Sequence, residues 1–399
     1  MQKILDTKID DQPPALLRLA FRPFFLLGAA FAVIAVLRWV IILQGWSTWK
    51  GSIPVFFWHA HEMIFGFVMA IILGFLLTAV QTWTSQPGIR GKLLGCLVAC
   101  WCCARAVFWF NPNISWVYYW LPDFLLIISA GFFLARPILA QRQWRNLPFV
   151  PVLLIFAFLH SGFSLAFKAE HFTLAREFLM ASFWLVVFLI SMMGARVIPF
   201  FTARRWQSEQ YKEPFFLSLL VPCVFLLVLM PDSLLNLAAL PNPKSFAFFV
   251  LGIALSWRLY AWHHPNNWQE PLLWSLHVSY GAIALGCWIL ALSDSSSALN
   301  AHAVHLIALA GIGGIILAMI ARVSLGHTGQ PLTLAKAMPV AFALVFIAGL
   351  IRFLGPLFND SASTVFYFLA GVLFSLGFLF YLWHYSALLG RPRKDGRPG

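Results

Sequence analysis

Trp58-His59-Ala60-His61-Glu62-Met63-Ile64-Phe65-Gly66-Phe67 sets two imidazoles and a carboxylate at the mouth of an apolar run that continues to Val80. A run of that length is what a bilayer-spanning helix requires, about 20 mostly apolar residues. Polar groups placed there are costly and by default mark a site. The rest of the chain supports the bilayer reading. Of 399 residues, 61% are hydrophobic and 10% charged, with 40 Phe and 18 Trp and a mean hydropathy of +0.82. Soluble domains carry roughly 25% charged residues. The chain is therefore expected to be an all-α, polytopic membrane protein.

Working outward, about twelve apolar runs are countable, near 23–43, 54–80, 92–110, 116–135, 148–167, 177–200, 214–231, 245–262, 271–292, 300–322, 337–356 and 363–385. Breakers such as Gln86-Pro87-Gly88 and Gly329-Gln330-Pro331 separate them. The expected organisation is a cytoplasmic segment over 1–22, one transmembrane domain over 23–385 and a basic cytoplasmic tail over 386–399. The opening residues carry acids and two prolines, unlike a cleavable signal peptide. Alternating the runs across a membrane places twenty of the 27 Lys and Arg on the N-terminal side and seven on the other. Positive charge stays in the cytoplasm, so both termini are expected there, with an even helix count. This asymmetry also accounts for the net charge of +13, so nucleic acid is not needed as a partner; the bilayer is.

A weak internal repeat is present. Met193-Gly-Ala-Arg196-Val197 closes the sixth run and Met319-Ile-Ala-Arg322-Val323 the tenth, each followed by Thr. Runs two, six and ten share an orientation, which suggests three four-helix units.

The histidines separate by depth. His59 and His61 open run two, and His302 and His305 open run ten, all near the outer surface. A lone interfacial histidine is more often hydrogen-bonded than a ligand, and that reading is preferred for His160, His171 and His384. Four imidazoles at one depth on two like-oriented helices point instead to metal ligands. At 100° per residue, His59 shares a stripe with Glu62, Met63, Gly66, Ala70 and Gly74, which lets another helix or a flat macrocycle approach. His61 faces about 200° away, so one histidine can bind a metal while the other serves a second site. At the cytoplasmic face, Arg196, Arg322 and His327, with Arg18 and Arg22, read equally as positive-inside anchors or as an anion site for haem propionates or lipid phosphate. Cys96, Cys100 and Cys103 share a face. Thiolates suit Cu(I), but buried cysteine is usually a small apolar residue. No Cys-x-x-Cys-His is present, so covalent haem attachment is not expected.

Phe21-Arg22-Pro23-Phe24-Phe25, His59-Ala-His61-Glu62-Met63 with Gly66, Gly194-Ala-Arg196-Val-Ile-Pro199-Phe-Phe-Thr202, and His302-Ala-Val-His305 through Arg322 to Gly326-His327-Thr328-Gly329 together resemble the NnrS family. The resemblance covers nearly the whole chain. It implies a twelve-span protein of the bacterial inner membrane containing haem and copper, linked to denitrification and to tolerance of nitric oxide and nitrosative stress. Nitric oxide or a nitrosyl species would be its ligand. The outline is also similar to the catalytic subunit of haem–copper oxidases, with twelve helices in three groups of four and haem ligands on helices two and ten. Helix six here lacks the histidine that an oxidase-like copper centre requires. On this reading a non-covalent, b-type haem sits between helices two and ten. One of His59 and His61 and one of His302 and His305 would be its axial ligands. Glu62 would orient an imidazole or relay protons, Met63 would pack or ligate copper, and His277 could serve a second metal. The alternatives are a multi-pass transporter, with Gly311, Gly313 and Gly314 marking a broken helix, or a membrane factor for haem or copper assembly.

Overall fold

A computed structural model describes residues 13–393 except 52, 111–113, 233–234, 236–241 and 294–297. Among the described residues there are twelve membrane-type helices in chain order. They are α1 (Phe21–Leu43), α2 (Val55–Thr84), α3 (Gly91–Phe110), α4 (Val117–Ala140), α5 (Phe149–Lys168), α6 (Phe172–Trp206), α7 (Phe215–Leu229), α8 (Pro243–Ala261), α9 (Pro271–Leu292), α10 (Ala298–His327), α11 (Met338–Phe358) and α12 (Ser363–Gly390). Ten are long and apolar enough to cross a membrane; α7, at 15 residues, is shorter. A backbone in hydrocarbon must satisfy its own N–H and C=O groups, and helices do so within one segment. That constraint turns the twelve runs of sequence into twelve helices. The protein is an all-helical, polytopic membrane protein.

The ends of the bundle meet. Arg22 Nη1 donates to Leu389 O and Arg391 O, each at 2.7 Å. The start of α1 and the end of α12 therefore lie at one face, called here the terminal face. The sequence placed Arg22 in a basic surface group and started the first span after it. The structure buries Arg22 completely inside the first turn of α1. The last carbonyls of a helix have no partner within it, and this guanidinium supplies one for α12.

Helices α2 and α10 are central. Their apolar windows are 83% and 72% buried, against 33% for α3. Each departs from α geometry in one place, with a π-helical turn over Glu62–Val68 in α2 and Ile307–Gly313 in α10. Such turns widen the helix and recur at functional sites. The small-residue stripe of α2 is covered by α1. A Cβ on Gly74 would stand 3.0 Å from Phe24 and Phe25, and one on Gly28 would stand 3.1 Å from Ala70. Of the two occupants expected for that stripe, a helix or a macrocycle, the helix is the one present. Helix α10 is continuous through Gly311, Gly313 and Gly314. Those glycines admit Ile283, Phe374 and Ser279 and do not mark a broken helix.

A buried histidine–carboxylate group as candidate metal centre

The far ends of α2 to α5 bring five polar side chains into the apolar interior. His61 and Glu62 come from α2, Arg105 from α3, Asp123 from α4 and His160 from α5. All five are buried, none more than 5% exposed. His61 Nδ1 lies 2.9 Å from Glu62 Oε1. The carboxylate oxygen accepts, so Nδ1 carries the proton and Nε2 presents a lone pair. Arg105 Nη1 donates to the same Oε1 at 2.6 Å, and its Nη2 pairs with Asp123 Oδ2. His61 Nε2 is 3.2 Å from His160 Nε2, and each lies 3.9 Å from Asp123 Oδ2.

Local geometry explains why these groups can meet. The π turn begins at Glu62, directly after His61, so the 100° arithmetic for a regular helix fails here. Glu62 joins His61 instead of His59. Gly66 lies in the same turn, where a Cβ would stand 2.8 Å from Arg105 Nη1 and 2.5 Å from Phe31. The missing side chain is the passage through which Arg105 reaches Glu62. Trp101 Nε1 donates to Gly66 O at 3.0 Å, fixing α3 against that turn. Aromatic rings exclude water. Phe108 stacks on His61 at 3.9 Å and 15°, and Phe65 stands edge-on to His160 at 4.8 Å.

His61, Asp123 and His160 offer ligand atoms that all lie within 4.8 Å of one another. Asp123 Oδ1, Glu62 Oε2 and His160 Nδ1 are buried without a hydrogen-bond partner. Orphaned buried polar atoms are rare and call for an explanation such as an ion. Two nitrogens 3.2 Å apart suit two bonds of about 2.0 Å to one ion, at an angle of about 106°. A macrocycle between them would need about 4 Å of separation along its axis, twice that bond length. The group therefore fits a metal ion and does not fit haem iron. Charge points the same way. Two carboxylates and one guanidinium in direct contact leave one negative charge, which is costly in a low dielectric. A monovalent cation or a proton balances it. Arg38 stands outside this contact, its guanidinium 4.2 Å from the ring of Trp109, but it lies within electrostatic range of Glu62 and offsets part of that charge.

The other imidazoles form a second cluster. His59 stacks on Trp39 at 4.4 Å and 11°, and its Nδ1 is buried without a partner. It lies within electrostatic range of Arg352 and His305. Arg352 Nη1 donates to His302 Nδ1 at 2.8 Å. A guanidinium cannot accept, so a neutral His302 carries its proton on Nε2. His305 Nδ1 lies 2.7 Å from Ala301 O, which would accept from it, and 3.4 Å from Arg352 Nη2, which would donate to it. Thus His59 stacks on α1 within electrostatic range of α10 and α11, while His61 faces α4 and α5.

The remaining expected site residues are apart from both clusters. His277 Nδ1 donates to Leu273 O at 2.8 Å, and its Nε2 lies 3.2 Å from Asn267 Nδ2. Arg196 donates to Asn146 Oδ1 and Arg145 O. Arg322 lies 3.6 Å over the ring of Phe201. His327 packs near Phe21, and its carbonyl accepts from Arg393 Nη1. These three basic residues have separate partners. Met63 packs against the core. Cys100 Sγ lies 3.0 Å from Pro122 O, while Cys96, Cys102 and Cys103 are exposed.

Twelve helices around a buried histidine–carboxylate group make this a polytopic membrane protein with a candidate metal centre inside the bundle. The chain belongs to the NnrS family, described as NnrS protein, which it matches over residues 15–393. Membership makes it a membrane protein associated with the nitric oxide response. Comparison with curated proteins finds no match.

Proposed function

We propose that this protein acts in nitric oxide and nitrosative-stress tolerance, as the family's link to denitrification implies, through copper held by His61, Asp123 and His160. The observation that carries this reading is the buried three-residue ligand group with its unpartnered Asp123 Oδ1. Imidazole nitrogens suit copper. A copper ion there would supply a site that binds nitric oxide or exchanges an electron with it. The chain's own residues set the conditions. Glu62 holds the His61 proton on Nδ1 and so aims Nε2 inward, the carboxylate–histidine arrangement that fixes a ligand's tautomer. Arg105 fixes both carboxylates and offsets one of their charges. Phe65 and Phe108 keep water out.

The second cluster supports haem between α2 and α10. His59, with its orphaned Nδ1, and His305 would supply the two imidazoles. Arg352, which has no carboxylate partner among the described residues, would supply a cation for a propionate. Transport is disfavoured by the continuous α10.

The test is metal analysis and reduced-minus-oxidised spectra of the purified protein. His61→Ala, His160→Ala and Asp123→Asn should each lose copper and keep the Soret band. His59→Ala and His305→Ala should do the reverse. A folded wild type with neither copper nor a Soret band would overturn the proposal.

A further inference from the structure

Arg38 stands near the end of α1, inside an apolar run, where an arginine is costly. Long basic side chains at such ends snorkel toward water. This one lies instead among three tryptophans. Its guanidinium carbon is 4.2 Å from the ring of Trp109, 4.8 Å from that of Trp49 and 5.0 Å from that of the fully buried Trp58. Its Nη1 donates to Trp109 O at 2.7 Å. Indole faces attract a cation, so the charge is fixed in place. Among the described residues Arg38 forms no salt bridge. The tryptophan cage adjoins the histidine–carboxylate group. Trp58 lies one turn before Glu62 on α2, and Trp109 follows Phe108, the ring stacked on His61. Arg38 and Glu62 are within electrostatic range of each other.

We infer that Arg38 sets the redox preference of a copper ion in the His61–Asp123–His160 group, holding it toward Cu(I). This role rests on the copper site proposed above. His61 and His160 ligate as neutral imidazoles, so the fixed charges acting on the group are those of Glu62, Asp123, Arg105 and Arg38. Two carboxylates and two guanidiniums formally cancel. Cu(I) then leaves one uncompensated positive charge and Cu(II) leaves two. The cost of such charge in a low dielectric rises with its square, so the gap between the two states is wide. Without Arg38, Cu(I) would leave none and Cu(II) one, and the gap would narrow. Arg38 therefore stabilises the reduced ion relative to the oxidised one and raises the reduction potential. It does so through its field and touches no ligand atom.

The test is a redox titration of the full chain in detergent, followed by the electron paramagnetic resonance signal of Cu(II). Arg38→Gln should lower the midpoint. The preference for Cu(I) should fall by about tenfold, which is about 59 mV for a one-electron couple. Arg38→Lys keeps the charge and should stay near the wild type. The wild type itself, purified in air, should hold its copper as Cu(I), silent in that spectrum. Copper isolated from the wild type as Cu(II) would overturn the inference and leave the copper site standing. So would an Arg38→Gln midpoint equal to the wild type's, or an Arg38→Lys midpoint shifted as far as that of Arg38→Gln. A folded wild type without copper would overturn the proposed function and this role with it.

Discussion

Arg105 joins two carboxylates from different helices, and that makes it the most exposed point of the design to single substitution. Removing it leaves Glu62 and Asp123 facing each other in hydrocarbon. Breaking a buried ion pair by removing one partner costs about 3–5 kcal/mol. Arg105→Leu should therefore lower the thermal midpoint of the detergent-solubilised protein sharply. The triple variant Arg105→Leu, Glu62→Gln, Asp123→Asn should recover most of the loss. A triple variant no more stable than the single one would show that charge pairing is not the cause. Charged residues inside apolar runs are a legible signal, and both Arg105 and Asp123 stand in such runs. What the runs do not show is which helices touch. His160 was readable only as a solitary interfacial histidine, because its partners lie 99 and 37 residues away in sequence, at His61 and Asp123.

Among the elements, α2 carries the organisation, and its π turn decides which residues share a face. A regular helix would place Glu62 with His59. The wider turn and the side-chain-free Gly66 let Glu62 meet His61 and Arg105 instead. Gly66→Ala should thus act at a distance from any ligand. Its Cβ would overlap Arg105 and Phe31, and overpacking typically costs about 1–3 kcal/mol. Copper content should fall along with stability. Gly95→Ala in α3 is the control, since the nearest atom to its Cβ would be Leu17 Cδ1 at 3.8 Å; its metal content should be unchanged. Equal copper in Gly66→Ala and wild type would separate the turn from the site. The apolar period of α2 marks a spanning helix, but hydropathy carries no signal for one extra residue in a turn.

For the whole molecule, the contact of Arg22 with the end of α12 puts both ends of the bundle at one face. The lysine and arginine distribution leads us to propose that this face is the cytoplasmic one. A fluorescent-protein fusion at the C-terminus should fluoresce, and an alkaline phosphatase fusion there should be inactive. An active phosphatase fusion would invert the topology and place the metal group near the cytoplasm. The twelve helices and their order were legible, because a bilayer admits few ways to satisfy a backbone and each leaves a run of hydrophobic residues.

The pair His59 and His61 shows where that legibility ends. By itself the sequence determined that this chain crosses a membrane repeatedly, that its family is NnrS, and that polar groups on α2 and α10 lie at similar depth. Only the tertiary structure decided that the pair divides, with His61 turned to Asp123 and His160 and His59 stacked on Trp39 of α1. The physical reason is that hydropathy and period are properties of one helix and its solvent. A ligand set is a property of several helices packed together, and in an apolar bundle their side-by-side order is set by close packing, by glycine gaps such as Gly66, and by pairing charges that cannot stay alone.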